Sequence, residues 1–177
     1  GAGQDLQIYH NGTDSYITNT TGDLKILGKS GQVAVKIVPD AGVELRYNDV
    51  KTFETKANGV IVQGTEGQNA ELLLYADEGD DNADKWRIKV DTNGQLEISN
   101  YAAGSYEKNI ECNGNGNVEL YYDNSKKFET TSYGVKWTGN ATSDGHVWWT
   151  DDKKAQFGVD NDLEIYHDAT NSLIKNN

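Results

Sequence analysis

Four groups of residues in this chain have the types and spacing to do chemistry. Asp77, Glu78, Asp80, Asp81 and Asp84 crowd the segment ADEGDDNAD at 76–84. Carboxylate oxygens converging around Gly79 are the hard ligands that calcium takes. The spacing departs from the EF-hand pattern of alternating ligands, a Gly and a distant Glu. The segment is therefore expected to be a solvated hairpin loop. His10 and His167 stand in matching strings, LQIYH and LEIYH. Three copies of one imidazole gathered about an axis could hold a transition metal or an anion. One His per layer and the absence of any His-x-His favour a strand-end histidine with a satisfied hydrogen bond. Trp148 and Trp149 adjoin His146 and Asp151-Asp152, with Tyr133 and Trp137 upstream. An indole face matches the C–H side of a pyranose, so these five aromatic and imidazole side chains are the candidate ligand contacts. Adjacent strand residues point to opposite faces, which would place one of the Trp pair in a core and the other outside. Aromatic packing in a β core or at a chain interface is the alternative use of the same residues.

Enzymatic arrangements are not visible. A glycosidase needs two carboxylates facing each other across a cleft, and nothing marks out one pair among 28 acidic residues. There is no Ser-centred nucleophile elbow, and the Gly-rich NGNGN at 113–117 precedes a strand pattern rather than a helix. Cys112, the sole cysteine, lacks a neighbouring base and alternates with Ile110, which points it to a core; alone it makes no intrachain disulfide. Asn11, Asn19 and Asn140 open Asn-x-Thr sequons, which matter only in a eukaryotic secretory pathway. The expectation is a chain with no catalytic residue, no cofactor and no resident metal.

The elements that position these residues are strands. Apolar residues alternate with polar ones at 6–10, 33–37, 86–90, 96–98, 118–122 and 163–167, a period of two that puts one set on each sheet face. Asn-Gly or Asp-Gly pairs at 11–12, 58–59, 93–94, 113–114, 115–116 and 144–145 supply the positive φ angles of tight hairpins. No window carries helical spacing. The fold class is all-β, with short antiparallel strands. Sixteen basic against 28 acidic residues leave a net charge of −12, which argues against nucleic-acid or anionic-lipid binding. No apolar run reaches the roughly 18 residues of a membrane span, and no signal peptide is visible. With 19 Gly, one Pro and no Met, the chain is expected to be an excised, processed or recombinant piece, with residues 1–4 a tag scar or linker.

Self-comparison reveals two repeats. VELRYNDVKTFETKANGVIVQG at 43–64 aligns without gaps to VELYYDNSKKFETTSYGVKWTG at 118–139, with eleven of 22 positions identical. DLQIYHNGTDSYI at 5–17 aligns to DLEIYHDATNSLI at 162–174, with eight of 13 identical. The offsets are 75 and 157 residues, so the last segment restarts what the first began. A looser motif underlies both, in DLKIL (23–27), AELLLY (70–75) and QLEI (95–98). Its spacing is too irregular for a single-chain solenoid of equal rungs. The chain thus divides into a repeat-bearing β region at 5–139, a less repeat-like aromatic segment at 140–159 and the start of a further repeat at 160–177. Short strands of this kind cannot easily bury their apolar faces alone. Three identical chains wound about one axis would close each other's core, with a monomeric sandwich or barrel as the alternative.

The strings DLQIYHNGTDSYI, TTGDLKIL, VELYYDNSKKFETTSYGV and ADEGDDNADKW resemble the repeats of marine, cyanophage-like bacteriophage tail-fibre proteins. The resemblance runs from Asp5 to Ile174 and is weakest over 140–159. It implies an elongated homotrimeric fibre of β-helix or β-prism type, exposed on the virion. Such a segment would contribute shaft and contact a host surface glycan or protein. A carbohydrate-degrading fibre domain and a bacterial surface adhesin are the alternatives.

Overall fold

The structure is a computed structural model that describes residue 3 and residues 5–177. Most of the expected scar at 1–4 lies outside the described residues. The protein is all-β and antiparallel, with no α-helix among the described residues and three single-turn 3-10 segments at 29–31, 77–79 and 82–84. Within each sheet the strands pair in sequence order, so each sheet is a plain meander.

Residues 1–138 and 139–177 form two compact units. The first contains three sheets. A hairpin joins β1 (Leu6–His10) to β2 (Ser15–Asn19). A five-stranded meander follows: β3 (Leu24–Leu27), β4 (Val33–Ile37), β5 (Val43–Tyr47), β6 (Val50–Lys56) and β7 (Gly59–Val62). A seven-stranded meander completes the unit. Its strands are β8 (Ala70–Tyr75), β9 (Lys85–Val90), β10 (Gln95–Asn100), β11 (Glu107–Asn113), β12 (Val118–Tyr122), β13 (Ser125–Thr131) and β14 (Gly134–Trp137). The second unit holds a three-stranded sheet of β15 (Lys154–Phe157), β16 (Leu163–His167) and β17 (Ser172–Asn176).

The sequence repeats are repeats of register. Leu45 pairs with Phe53 and Phe53 with Val62; Leu120 pairs with Phe128 and Phe128 with Trp137. Both copies carry a bulge at the same place, after Leu45 and after Leu120. Both close β5–β6 or β12–β13 with two residues at positive φ, Asn48-Asp49 and Asp123-Asn124, the geometry that two-residue hairpins require. Gly59 and Gly134 turn at φ 145 and 141. The equivalence continues one strand upstream, where the sequence shows no identity: Val35 faces Leu45 and Lys36 faces Glu44, as Ile110 faces Leu120 and Glu111 faces Glu119. The terminal repeats match equally, with Ile8 facing Ile17 and His10 facing Ser15, as Ile165 faces Ile174 and His167 faces Ser172.

Two expectations are corrected. Trp148 and Trp149 do not alternate across a strand: 138–153 contains no strand, and the Asp144-Gly145 pair within it closes no hairpin. Cys112 does share the parity of Ile110, but the face they share is not a core. Among the described residues no hydrophobic side chain is buried. Alternation assigns residues to a shared face without saying which face is covered, and nothing in a single chain covers this one.

Candidate interaction surfaces

The seven-stranded meander has two chemically opposite faces, set by strand parity. One carries the row Leu72, Ile88, Ile98, Ile110, Leu120, Phe128 and Trp137, each directly opposite the next. A second apolar row runs beside it through Val90, Leu96, Cys112 and Val118. The five-stranded meander repeats the pattern in Ile26, Val35, Leu45, Phe53 and Val62. The row of seven strands spans about 29 Å at 4.8 Å per strand. An apolar row of this extent is more than singly scattered exposed residues produce.

The other face carries Glu71, Lys89, Glu97, Glu111, Glu119, Glu129 and Lys136, again in direct register. Four carboxylates opposite one another would repel, but cations interleave them. Arg87 and Lys89 donate to Glu97 at 2.8 and 2.9 Å. Lys108 holds Glu111, Lys126 bridges Glu119 (3.1 Å) and Glu129, and Lys136 meets Glu129 at 3.1 Å. An amide row flanks the carboxylates: the Gln95 amide donates to Asn113 at 2.6 Å, and that of Asn117 to Glu119 at 2.6 Å. The Arg87 guanidinium also stacks 3.9 Å from the centre of the Tyr106 ring. These long side chains lie flat and seal one another. As a result Glu97 is only 5% exposed and Ser99 fully buried.

The titrations follow from these contacts. Burial pushes the Glu97 carboxyl up, but hydrogen bonds from Lys89, Arg87 and Ser99 together outweigh it and leave it lowered. The Tyr121 hydroxyl, then Lys126 and Asn117, hold Glu119 down against burial. Lys126 and Lys136 lower Glu129, and Lys51 and Lys56 lower the equivalent Glu54. In the second unit Lys154 and Gln156 do the same for Glu164. The sequence signal for this ladder lies in VEL, AEL, LEI and IEC, where each Glu sits between apolar residues, and in FET, where Phe precedes it and Thr follows.

The expected site residues fare differently. Asp80, Asp81 and Asp84 bring one carboxylate oxygen each within 4.8 Å of one another, largely solvent-exposed; Asp77 is not part of that group. The loop joins β8 to β9 as a hairpin connection. His10 and His167 end their strands with Nδ1 at 3.3 and 3.4 Å from the hydroxyls of Ser15 and Ser172, both on the apolar parity. Tyr133 is 100% exposed at the β13–β14 turn. Trp137, at the far end of β14, packs edge-on to Phe128 with centroids 6.0 Å apart. Four strand residues, about 13 Å, separate the two, so Tyr133 and Trp137 form no common platform. In the second unit His146 meets Trp148 edge-on at 6.3 Å. Trp148 and Trp149, 87% and 59% exposed, line a hollow of about 610 Å³ together with Ile165, His167 and Ile174. The structure thus joins a metal candidate, His167, to the aromatic candidates.

Comparison of the chain with family models, with curated proteins and with solved structures finds no match.

Proposed function

We propose that this chain is a structural and host-recognition segment of a homotrimeric fibre, of the tail-fibre kind its repeats resemble. Three copies would turn their apolar faces to a common axis as a β-prism and their Glu–Lys ladders outward. The observation that carries the reading is the absence of any buried hydrophobic side chain among the described residues. The chain leaves 13353 Å² of surface accessible, whereas a compact folded chain of 19.5 kDa leaves about 8,500 Å². Three chains that each cover this excess of roughly 4,800 Å², shared over three interfaces, would bury about 4,800 Å² per interface, in the range of an obligate one. Without it, burial does not offset the conformational entropy of folding. The apolar rows of identical copies are matched in length and pitch, so a further copy is the simplest partner for each.

Recognition would fall to the exposed aromatic groups, Tyr133 and the Trp148–Trp149 hollow, with a surface glycan or protein as the ligand. The carbohydrate-degrading alternative asks for a carboxylic acid kept protonated near neutrality. Every carboxylate with a displaced titration, from Glu54 to Asp168, is displaced downward, which favours the structural reading.

Electron microscopy of the purified protein tests the proposal. Rods with three-fold averaged cross-sections are expected. Compact single-chain particles would overturn it and restore a monomeric sandwich.

A further inference from the structure

Charge in this chain is sorted by element. All seventeen aspartates lie outside the strands, whereas nine of the eleven glutamates and fourteen of the sixteen Lys and Arg lie within them. The strands therefore carry 14 cations against nine carboxylates, a net +5. The turns and connections carry two cations against 19 carboxylates, a net −17, and the two together give the chain's −12. In a meander the turns fall along the two edges of the sheet. The seven-stranded sheet shows the sorting most clearly: its strands are near balance, with seven cations against six carboxylates, and the charged residues of its turns, and so of its rims, at 77–84, 91 and 123, are all acidic.

Turn geometry alone does not call for this charge. Asp and Asn both tolerate positive φ and both accept hydrogen bonds from the following backbone. The repeats show the exchange directly. Asn48-Asp49 in one copy is Asp123-Asn124 in the other, with φ values of 49 and 62 against 52 and 54. The Oδ1 of Asp49 accepts from the Val33 amide at 2.7 Å, as that of Asn124 accepts from Lys108 at 2.9 Å. Asn11 accepts from the amides of Thr13 and Asp14 at 2.9 and 2.8 Å; its counterpart Asp168 accepts from Thr170 and Asn171 at 3.0 and 2.7 Å. Asp14 itself corresponds to Asn171. At these positions an amide accepts the same set of turn hydrogen bonds as the carboxylate.

We infer that the acidic rims make association of the chains dependent on ionic strength, with screening cations required for the copies to close. The inference rests on the homotrimer reading, because apolar faces that meet about an axis bring the rims of neighbouring chains side by side. A strand of five to seven residues separates the two rims of a sheet by roughly 17–23 Å. The Debye length is about 30 Å at 0.01 M salt and about 10 Å at 0.1 M. Dilute salt leaves all rims repelling one another, and moderate salt uncouples them. The ion pairs of the Glu–Lys face respond in the opposite sense, because screening weakens attraction, so the sign of the salt effect identifies the rims.

Light scattering and thermal melting at 10 and 500 mM NaCl, with MgCl2 at matched ionic strength, test this. The expected result is a trimer whose melting midpoint rises by 5 °C or more across the range. The variant Asp14→Asn, Asp49→Asn, Asp123→Asn, Asp168→Asn, drawn from exchanges the repeats already contain, should fold and show a smaller rise. A trimer with a flat or falling midpoint, or a variant with an undiminished rise, would overturn the rim inference and leave the trimer standing. A monomer at every salt concentration would remove the trimer and this inference with it.

Discussion

Glu97 is the residue where the polar face is most tightly made. It accepts from Arg87 and Lys89, lies opposite Glu111 and is almost out of solvent. Replacing it as Glu97→Gln leaves two cations facing an amide, with a cost of about 1–3 kcal/mol in line with the loss of hydrogen bonds to a charged group. Denaturant melts of the variant check this, and an unchanged midpoint would mean the ladder is decorative. The same contacts fix the pH dependence. Glu54, Glu97, Glu119, Glu129 and Glu164 titrate below their ordinary value in the fold. Their contribution is therefore complete above the unfolded value, about 4.3, and is lost as pH falls through the lower folded values. Lys108, Lys126 and Lys154 are raised by their glutamate partners, so theirs is complete below about 10.4 and lost as pH rises beyond it. The midpoint should hold between about pH 5 and pH 10 and fall outside on both sides; thermal melts across pH 3–11 measure it. Removing metal with EDTA should move it by less than the 2–4 °C that 1 kcal/mol represents at this size, because Asp80 and Asp81 are open to solvent and Asp84 is only half-buried.

At the scale of elements, strand positions are legible in the sequence. Alternation located β1, β4, β9, β10, β12 and β16, and the 75- and 157-residue offsets gave the equivalent hairpins. Burial was not legible, because a period of two is the same whether a face meets another sheet, a partner or water. The Glu–Lys ladder is hidden for that reason, and the Trp148–Trp149 pair escapes alternation because 138–153 holds no strand. The Val62/Trp137 exchange, a large change in volume at one equivalent site, is accommodated because that site opens to solvent: Val62 is partly exposed and Trp137 more so. The return from β7 to β8 is tight at Gly64, where a Cβ would meet the carbonyl oxygens of Asn69 and Gln68 at 2.3 and 2.5 Å. Backbone on two sides cannot yield cheaply, so Gly64→Ala should destabilise by roughly 1–3 kcal/mol. An unchanged denaturation midpoint would show that the 63–69 connection is free to rearrange.

For the whole molecule, the account turns on one inversion: carboxylates are sealed within a chain whose apolar residues are open. Two seven-residue ladders on opposite faces of the long meander explain both observations if copies meet through the apolar side. The substitution Ile110→Asp, central in the row between Ile98 and Leu120, should then block assembly rather than merely weaken a hairpin, with loss of the higher mass on size exclusion. Charge at a residue that a monomeric sandwich left on its surface would change nothing. The most direct test of the central claim is the mass of the unmodified protein by light scattering after size exclusion at moderate salt and micromolar concentration. The account predicts a single species of about three times 19.5 kDa, from the apolar faces of three copies closing on one axis. A monodisperse 19.5 kDa species would contradict it.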